Sequence, residues 1–419
     1  MGDTLAIRGG PRAVPEGEIK PWPEVTDRDR ELVLAALASG HHNFGPQCQK
    51  LQEEFACWNG NKHALATNSG TAALHMGLAA CGLSCGDEVL VPAYTWSSSA
   101  TCVMHHNCIP VFVDLDFRTM NMDPDRIEAA ISPKTKAIIP VHLHGLPMDL
   151  DKVMAIANRH KLFVVEDCCQ AHGATWKGKK VGTFGHCAAF SFNQNKVVAS
   201  GEGGAFVTDD TALLERAQKV WYFGETHDPS KKEEYHVYAL GWMYRSNDIT
   251  AAFGRAQLEM LDRNLAGMKK NADVLASALR GTPNLILPEV RDPEGPNWYN
   301  YTMRFDMQAL GHESDAASFR NRIVKALVAE GVDTLVWQDF SLPDMTVFRA
   351  RNAYGHGCPW SCPYGGHVEY DRDAFPQARR HADWHTGMTT PLRPPNGPRQ
   401  AELTAKGIRK VMEHIGDIP

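Results

Sequence analysis

The sequence predicts an α/β protein, built on a mainly parallel sheet covered by helices on both faces and followed by a smaller α+β domain. Three observations carry that prediction. Between residues 63 and 223 short β-rich runs alternate with helical patterns. Most of those runs are continuously apolar, as expected for strands buried on both faces. After about residue 245 the alternation gives way to long helical periodicity.

Taken in order, the candidate strands are HALAT (63–67), EVLVPAY (88–94), PVFVDLD (110–116), KAIIPVHLHG (136–145), LFVVEDC (162–168), AAFSF (188–192) and GAFVT (204–208). Several of the helices between them announce their starts. Asp123 followed by Pro124 is an N-cap with proline at the first helical position. Leu150, Val153, Met154 and Ala157 repeat at helical spacing before LFVVEDC. Beyond residue 245 one long helical stretch is predicted through ITAAFGRAQLEMLDRNLAGMKKNADVLASAL, then a strand at WYNYTMRF (298–305). A helix capped by Ser314 follows, carrying Phe319, Ile323 and Leu327, and a last helix covers roughly 399–415. The division expected is a large α/β domain over 1–262 and a small α+β domain over 263–419. Within the second, 341–397 is rich in Pro, Gly and His, has little periodicity, and reads as a long loop of functional or disordered character.

Composition sets the outer bounds. Over 419 residues, 43 Lys and Arg stand against 49 Asp and Glu, a net charge of −6 with no basic run, which argues against nucleic-acid or membrane-surface binding. The apolar fraction of 43% with 22% charged residues is that of a globular protein and not of a disordered chain. Eleven cysteines, an odd number spread along the chain, do not read as a disulfide framework and suit a cytoplasmic setting. The N-terminal segment lacks the apolar core of a signal peptide, and no run reaches membrane-spanning length. Gly2 invites a myristoylation reading that Ala6 contradicts, since the motif asks for Ser or Thr there.

Four short segments carry chemistry. In FSFNQNKVVASGEGGAFVT (190–208) Lys196 lies in a polar turn beside neutral amides, with no acid before Glu202. A lysine kept from ion pairing and partly desolvated suits Schiff-base chemistry. In VVEDCCQAHG (164–173) Asp167 stands at the C-terminal end of a strand, where open α/β sheets bind ligands. Glu166 and Asp167 cannot face one site together, because adjacent strand residues point to opposite sides. Gln170, three residues on, could reach a ring substituent. In ATNSGTAALHMGL (66–78) Ser69, Gly70 and Thr71 open a helix whose first N–H groups make an anion site. In PAYTWSSS, Trp96 follows a strand and could stack on a planar ring.

Taken singly, each has an ordinary structural reading: a surface lysine, a turn-capping Asp, a helix cap, a core aromatic. Together they are what pyridoxal 5′-phosphate (PLP) held as an internal aldimine requires, namely a lysine for the aldehyde, a helix start for the phosphate and an Asp that keeps the ring nitrogen protonated. Two other patterns are set aside. Gly173 to Lys179 imitates a P-loop, but Lys180 stands where Ser or Thr is required and no helical pattern follows. His356, Cys358, Cys362 and His367 lack the second closely spaced pair of a zinc site, so no metal is expected.

The motifs NSGTAALHMGL, GDEVLVPAYTW, PVFVDLD, KAIIPVHLHG, EDCCQAHGA, FSFNQNK and GEGG, in that order, resemble the DegT/DnrJ/EryC1/StrS aminotransferases, PLP enzymes that aminate keto-sugars and cyclitols. IRGGPRAVP and QAHGATWKGKKVG are similar to the cyclitol branch and to 3-amino-5-hydroxybenzoate synthases. The resemblance implies an aspartate-aminotransferase-like fold (PLP fold type I), with a three-layer α/β/α large domain and a smaller C-terminal α+β domain. It implies that Lys196 forms the Schiff base and shuttles the proton, that Asp167 pairs with the pyridinium nitrogen, that Gln170 approaches the ring hydroxyl and that Trp96 stacks on the ring. Gly70, Thr71 and Ser191 would hold the phosphate. Family members are homodimers with the active site at the subunit interface, where a GYNYRMSD motif enters from the neighbour. Here that motif reads GWMYRSND (241–248), with Met243 replacing Asn and Arg245 retained as a cation for the phosphate. In WYFGE, Phe223 stands where many relatives carry His, and 341–397 has no clear counterpart.

The function expected is transfer of an amino group from L-glutamate or L-glutamine to a ketone of a sugar or cyclitol. A PLP-dependent dehydratase or aromatising enzyme is the close rival, although relatives that dehydrate sugars carry His at the lysine position. A non-catalytic regulatory or assembly protein on the same fold is the distant one.

Overall fold

The computed structural model describes residues 4–226, 236–365 and 368–419. Gly2 and His367, weighed above for acylation and zinc, lie outside the described residues. Seven strands form the central sheet: β1 (His63–Thr67), β2 (Glu88–Pro92), β3 (Ile109–Val113), β4 (Thr135–Ile138), β5 (Phe163–Asp167), β6 (Cys187–Ser191) and β7 (Gly204–Thr208). Their order is β1-β7-β6-β5-β4-β2-β3. All neighbours run parallel except β7, which is antiparallel to both β1 and β6. Strands β2, β6 and β7 are buried along their whole length, which is why they read as unbroken apolar runs.

Several boundaries depart from the sequence reading. The KAIIPVHLHG run is a strand only to Ile138; Pro140 supplies no donor and the chain turns into a short 3-10 segment at Leu143–Gly145. The single long helix after residue 245 is two, Asp248–Glu259 and Leu261–Leu279, hinged at Met260. The helix predicted from Ser314 begins at Ala316 after a 3-10 turn, and Asp315, not Ser314, is its N-cap. The Gly173–Lys179 stretch forms a hairpin, with Thr175–Trp176 paired to Lys179–Lys180, and holds no phosphate loop.

A second, antiparallel sheet aligns Leu285–Ile286, Tyr301–Phe305 and His385–Met388. Its apolar cluster joins Met303, Phe305, Ile323, Leu327 and Ile408, and N-terminal Leu5 and Val14 enter the same cluster. The 341–397 stretch, expected as a loop, contains the helix Pro376–Trp384 and the strand His385–Met388. Part of it belongs with the large sheet: Leu342, Phe348, Trp360, Ala378 and Ala382 pack into the cluster of Val89, Val91 and Phe112. No helix among the described residues is long and apolar enough to cross a membrane.

Candidate active site

The C-terminal ends of β1, β5 and β6 open onto one cavity of about 360 Å³. Its walls include Gly70, Thr71, Trp96, Asp167, Gln170, Ser191 and Lys196, so seven of the eight residues singled out in the sequence meet there.

The helix Gly70–Ala80 starts at the edge of this cavity. Ser69 caps it by accepting the Ala72 N–H at 3.1 Å. The N–H groups of Gly70 and Thr71, first in the helix, have no protein acceptor among the described residues, which leaves them for an anion. Glycine is required at 70 because a Cβ would lie 2.7 Å from Cys169 Sγ and 2.9 Å from Ser191 Cβ. The helix start is thereby pressed against the end of β6, beside the Ser191 hydroxyl.

The two acids of β5 divide between the faces, as strand alternation requires. Glu166, fully buried, faces away from the cavity and accepts N–H groups from Gly182, Phe184 and Gly185 at 2.7–2.8 Å, with His142 Nε2 at 3.2 Å. Burial pushes its carboxyl up, but His142 and these N–H groups outweigh it and hold the group below the usual range. Asp167, 4% exposed, lines the cavity, accepts the Ser99 hydroxyl at 2.7 Å on Oδ2 and the Cys169 N–H at 3.1 Å on Oδ1. No cation pairs with it among the described residues.

The neutral amides beside Lys196 build its turn. Lys196 N–H donates to Asn193 O (2.8 Å), Asn195 N–H donates to Asn193 Oδ1 (3.1 Å), and Asn193 Nδ2 donates to Glu202 Oε1 (2.9 Å). Glu202 is thus engaged by Asn193, and among the described residues Lys196 makes no ion pair. Its Nζ stands 4.7 Å from the centroid of Tyr299. The lysine's charge is felt nearby: His172, buried among Phe55, Phe190 and Phe192, is pushed down to about 3 by burial and then by Lys196.

Gln170 is oriented by the His144 N–H, which donates to its Oε1 at 2.8 Å. That leaves its amide nitrogen without a partner among the described residues. Trp96 is 54% exposed at the mouth, 5.8 Å from Trp337. Arg245 is the eighth residue and lies outside its own chain's cavity, with its guanidinium 3.9 Å above the Tyr222 ring. Two further residues of its motif are structural: Asn247 caps Asp248–Glu259, and the Asp248 carboxylate accepts the Gly45, Gln47 and Cys48 N–H groups at the start of Pro46–Asn59. Phe223 is likewise not part of the cavity wall.

Tyr299 and Trp337 also line the cavity and were missed in the sequence. Both arrive from beyond residue 280 without a local pattern; the aromatic run WYNY was the one signal pointing at Tyr299. Among the described residues, His356, Cys358 and Cys362 do not converge as metal ligands. The group that does, His142, Glu166 and Cys168, is fully buried with Glu166 already saturated by hydrogen bonds.

An unpaired buried carboxylate and an unpaired amine line one cavity with a free helix start. A buried charge is costly without a partner, and PLP would partner each: its pyridinium nitrogen the carboxylate, its aldehyde the amine, its phosphate the helix start. The residues therefore fit this cofactor.

A family model described as the DegT/DnrJ/EryC1/StrS aminotransferase family matches residues 23–361. The chain is 37% identical over 314 residues to the GDP-perosamine synthase of Caulobacter vibrioides, covering 74% of this chain and 82% of that protein. It is 34% identical over 343 residues to the L-glutamine:2-deoxy-scyllo-inosose aminotransferase of Streptomyces lividus, covering 79% and 80%. Among solved structures, a 3-amino-5-hydroxybenzoic acid synthase superposes with a TM-score of 0.83 at 28% identity, over 94% of this chain and 98% of that one.

Proposed function

Because the chain belongs to the DegT/DnrJ/EryC1/StrS aminotransferase family, and is an aminotransferase, we propose that with PLP it moves an amino group from L-glutamate or L-glutamine to a ketone of a sugar or cyclitol. The observation that carries the proposal is the meeting of unpaired Lys196 and unpaired Asp167 in one cavity with the Gly70–Thr71 helix start. The relatives' names supply the acceptor class: one makes an amino sugar carried on a nucleotide, another aminates a cyclitol.

PLP, when bound, supplies an electron sink for the pair left behind as a proton departs from the donor's Cα. Lys196 Nζ is its covalent anchor and then the general base and acid that carries that proton. Such a relay is worth roughly 10²–10⁴-fold in rate. Asp167 keeps the ring nitrogen charged, and Ser99 holds that carboxylate in place. Gly70, Thr71 and Ser191 would hold the phosphate, the Gln170 amide would be free to reach the ring hydroxyl, and Trp96 would shield the ring from solvent. Trp337 and Tyr299 form an aromatic part of the remaining wall, where the acceptor's ring would lie.

A second copy of this chain completes the site in this reading. Phe223, Val237, Tyr238, Leu240 and Met243 are large apolar side chains left 43–75% exposed in the segment that carries Arg245. A homodimer contact would cover them and bring Arg245 to the partner's phosphate.

The test is a panel of keto-cyclitols and nucleotide-linked keto-sugars, with glutamate and glutamine as donors and amine formation as the readout. Amination of at least one panel member, reduced about 10²-fold or more in Lys196→Ala, is expected. Native turnover by Lys196→Ala would sink the mechanism, and ketone consumption without any donor would turn the reaction into a dehydration.

A further inference from the structure

All eleven cysteines are free thiols, and one pair stands apart from the catalytic cavity in an accessible position. Cys85 and Cys362 are both partly exposed, and their Sγ atoms lie 3.2 Å apart although 277 positions separate them in sequence. By contrast Cys81 and Cys187, also in contact, are both buried. Cys85 sits in the turn between the helix Gly70–Ala80 and β2. Cys362 sits in the excursion that leaves the cavity at Trp337 and returns at the helix Pro376–Trp384.

The two loops are already seated on each other. Ser84 N–H donates to the Asp87 carboxylate at 2.7 Å and Asp87 N–H returns to Ser84 O at 3.1 Å, closing the Cys85 turn. Gly86, at φ +85°, packs so tightly under the excursion that a Cβ there would collide with the Tyr364 carbonyl. Lys134 Nζ donates to the carbonyls of Tyr364 (2.9 Å) and Gly365 (3.1 Å). Farther along, Tyr354 OH donates to Met104 O at 2.8 Å and Tyr370 OH to Pro110 O at 2.7 Å. Phe112 of the edge strand β3 packs against Phe348, Tyr370 and Phe375. A disulfide bond is about 2.05 Å long, so the sulfurs need approach by only about 1 Å.

We propose that Cys85 and Cys362 are a reversible thiol–disulfide site, oxidised by a low-molecular-weight disulfide such as glutathione disulfide, and that its closure locks the Cys362 loop onto the turn that leads into β2. Cys362 is the attacking group. The Tyr364 N–H, the Cys85 thiol and the Gly365 N–H favour its thiolate, while burial pushes Cys85 up to about 11. The Cys362 thiolate attacks one sulfur of glutathione disulfide, forming a mixed disulfide and releasing one glutathione thiolate. Cys85 then gives its proton to solvent, and its sulfur displaces the second glutathione. The protein dithiol loses two electrons, one glutathione disulfide gains them, and two glutathione thiols leave.

The test uses the full-length protein equilibrated in glutathione buffers of stepped oxidised-to-reduced ratio, then alkylated and peptide-mapped. The expected product is a Cys85–Cys362 linked peptide, about 2 Da lighter than its two parts, reversed by dithiothreitol and accompanied by slower tryptic cleavage after Arg349 and Arg351. In Cys85→Ser, Cys362 is expected to remain as the glutathione adduct. The proposal is overturned if exposed Cys57 reacts while the linked peptide is absent, or if Cys362 pairs with Cys358 in place of Cys85.

Discussion

At the scale of single residues, the site separates into charges and the groups that hold them. Asp167 has hydrogen bonds on both oxygens but no cation among the described residues, and in the proposed function the cofactor's ring nitrogen supplies one. Asp167→Asn keeps the volume and removes that charge. In the proposed mechanism it should lower transamination by about 10²-fold or more, the order found for removing one designed electrostatic contact, and weaken PLP uptake. Both are read from turnover and from an absorbance titration with the cofactor; an unchanged pair of values would mean that Asp167 only caps its turn. Asp167 was legible in the sequence because strand alternation and strand-end position are local properties. Ser99, which fixes its orientation, was not, since a serine in the run SSSA looks like any helix start until β5 is laid beside it. Trp337 was equally hidden, because it reaches the cavity from about 140 residues beyond Lys196.

At the scale of elements, the start of the helix Gly70–Ala80, proposed to hold the phosphate, is set by close approach to β6 and β7. A Cβ at Gly204 would lie 2.5 Å from Phe190 O and 2.8 Å from Gly70 N, so both the strand pair and the helix start would have to shift. Gly204→Ala is expected to cost about 1–3 kcal/mol, the usual range for overpacking, measured as a lower denaturant midpoint, together with weaker cofactor binding. Full stability with full binding would show the contact to be slack. Continuous apolar runs made the seven strands readable, six of them to within a few residues and KAIIPVHLHG with an overrun past Ile138, because burial on both faces leaves a strong local signal. The helix Pro376–Trp384 and the strand His385–Met388 left no such signal. Both are short, both are rich in polar residues, and they are buried by contacts with distant partners: Tyr94 lies 4.6 Å from His381, and Thr302 pairs with Gly387.

At the scale of the whole molecule, burial of uncharged histidines ties stability to pH. His144, His381 and His385 stack where the helix Pro376–Trp384 meets the large domain, with ring centroids 4.8–6.5 Å apart. Burial, then neighbouring imidazoles or arginines, pushes His385 down to about 3 and His144 and His381 well below their ordinary value; His75 and His172 are also pushed down to about 3 by burial. Unfolded imidazoles take protons near 6.5, so between about 6.5 and 3 the unfolded state binds more protons and stability falls as pH falls. The thermal midpoint should therefore drop steeply from pH 7 to 5. His381→Phe, which removes two ring nitrogens without partners among the described residues, should flatten that slope by about one proton; an unaltered slope would place the titrating groups elsewhere. The α/β character of the molecule was foreseeable from the alternation of apolar runs with helical periodicity. The seating of Phe348, Trp360, Tyr370 and Phe375 on the edge of the large sheet was not foreseeable, because it rests on aromatic contacts with no sequence period. The most direct test of the central claim, that Lys196 anchors the cofactor in this cavity, is borohydride reduction of the PLP-loaded protein followed by peptide mapping. A pyridoxyl group fixed to Lys196 is the expected result. A Lys196 recovered unmodified, with the label on another lysine or on none, would contradict it.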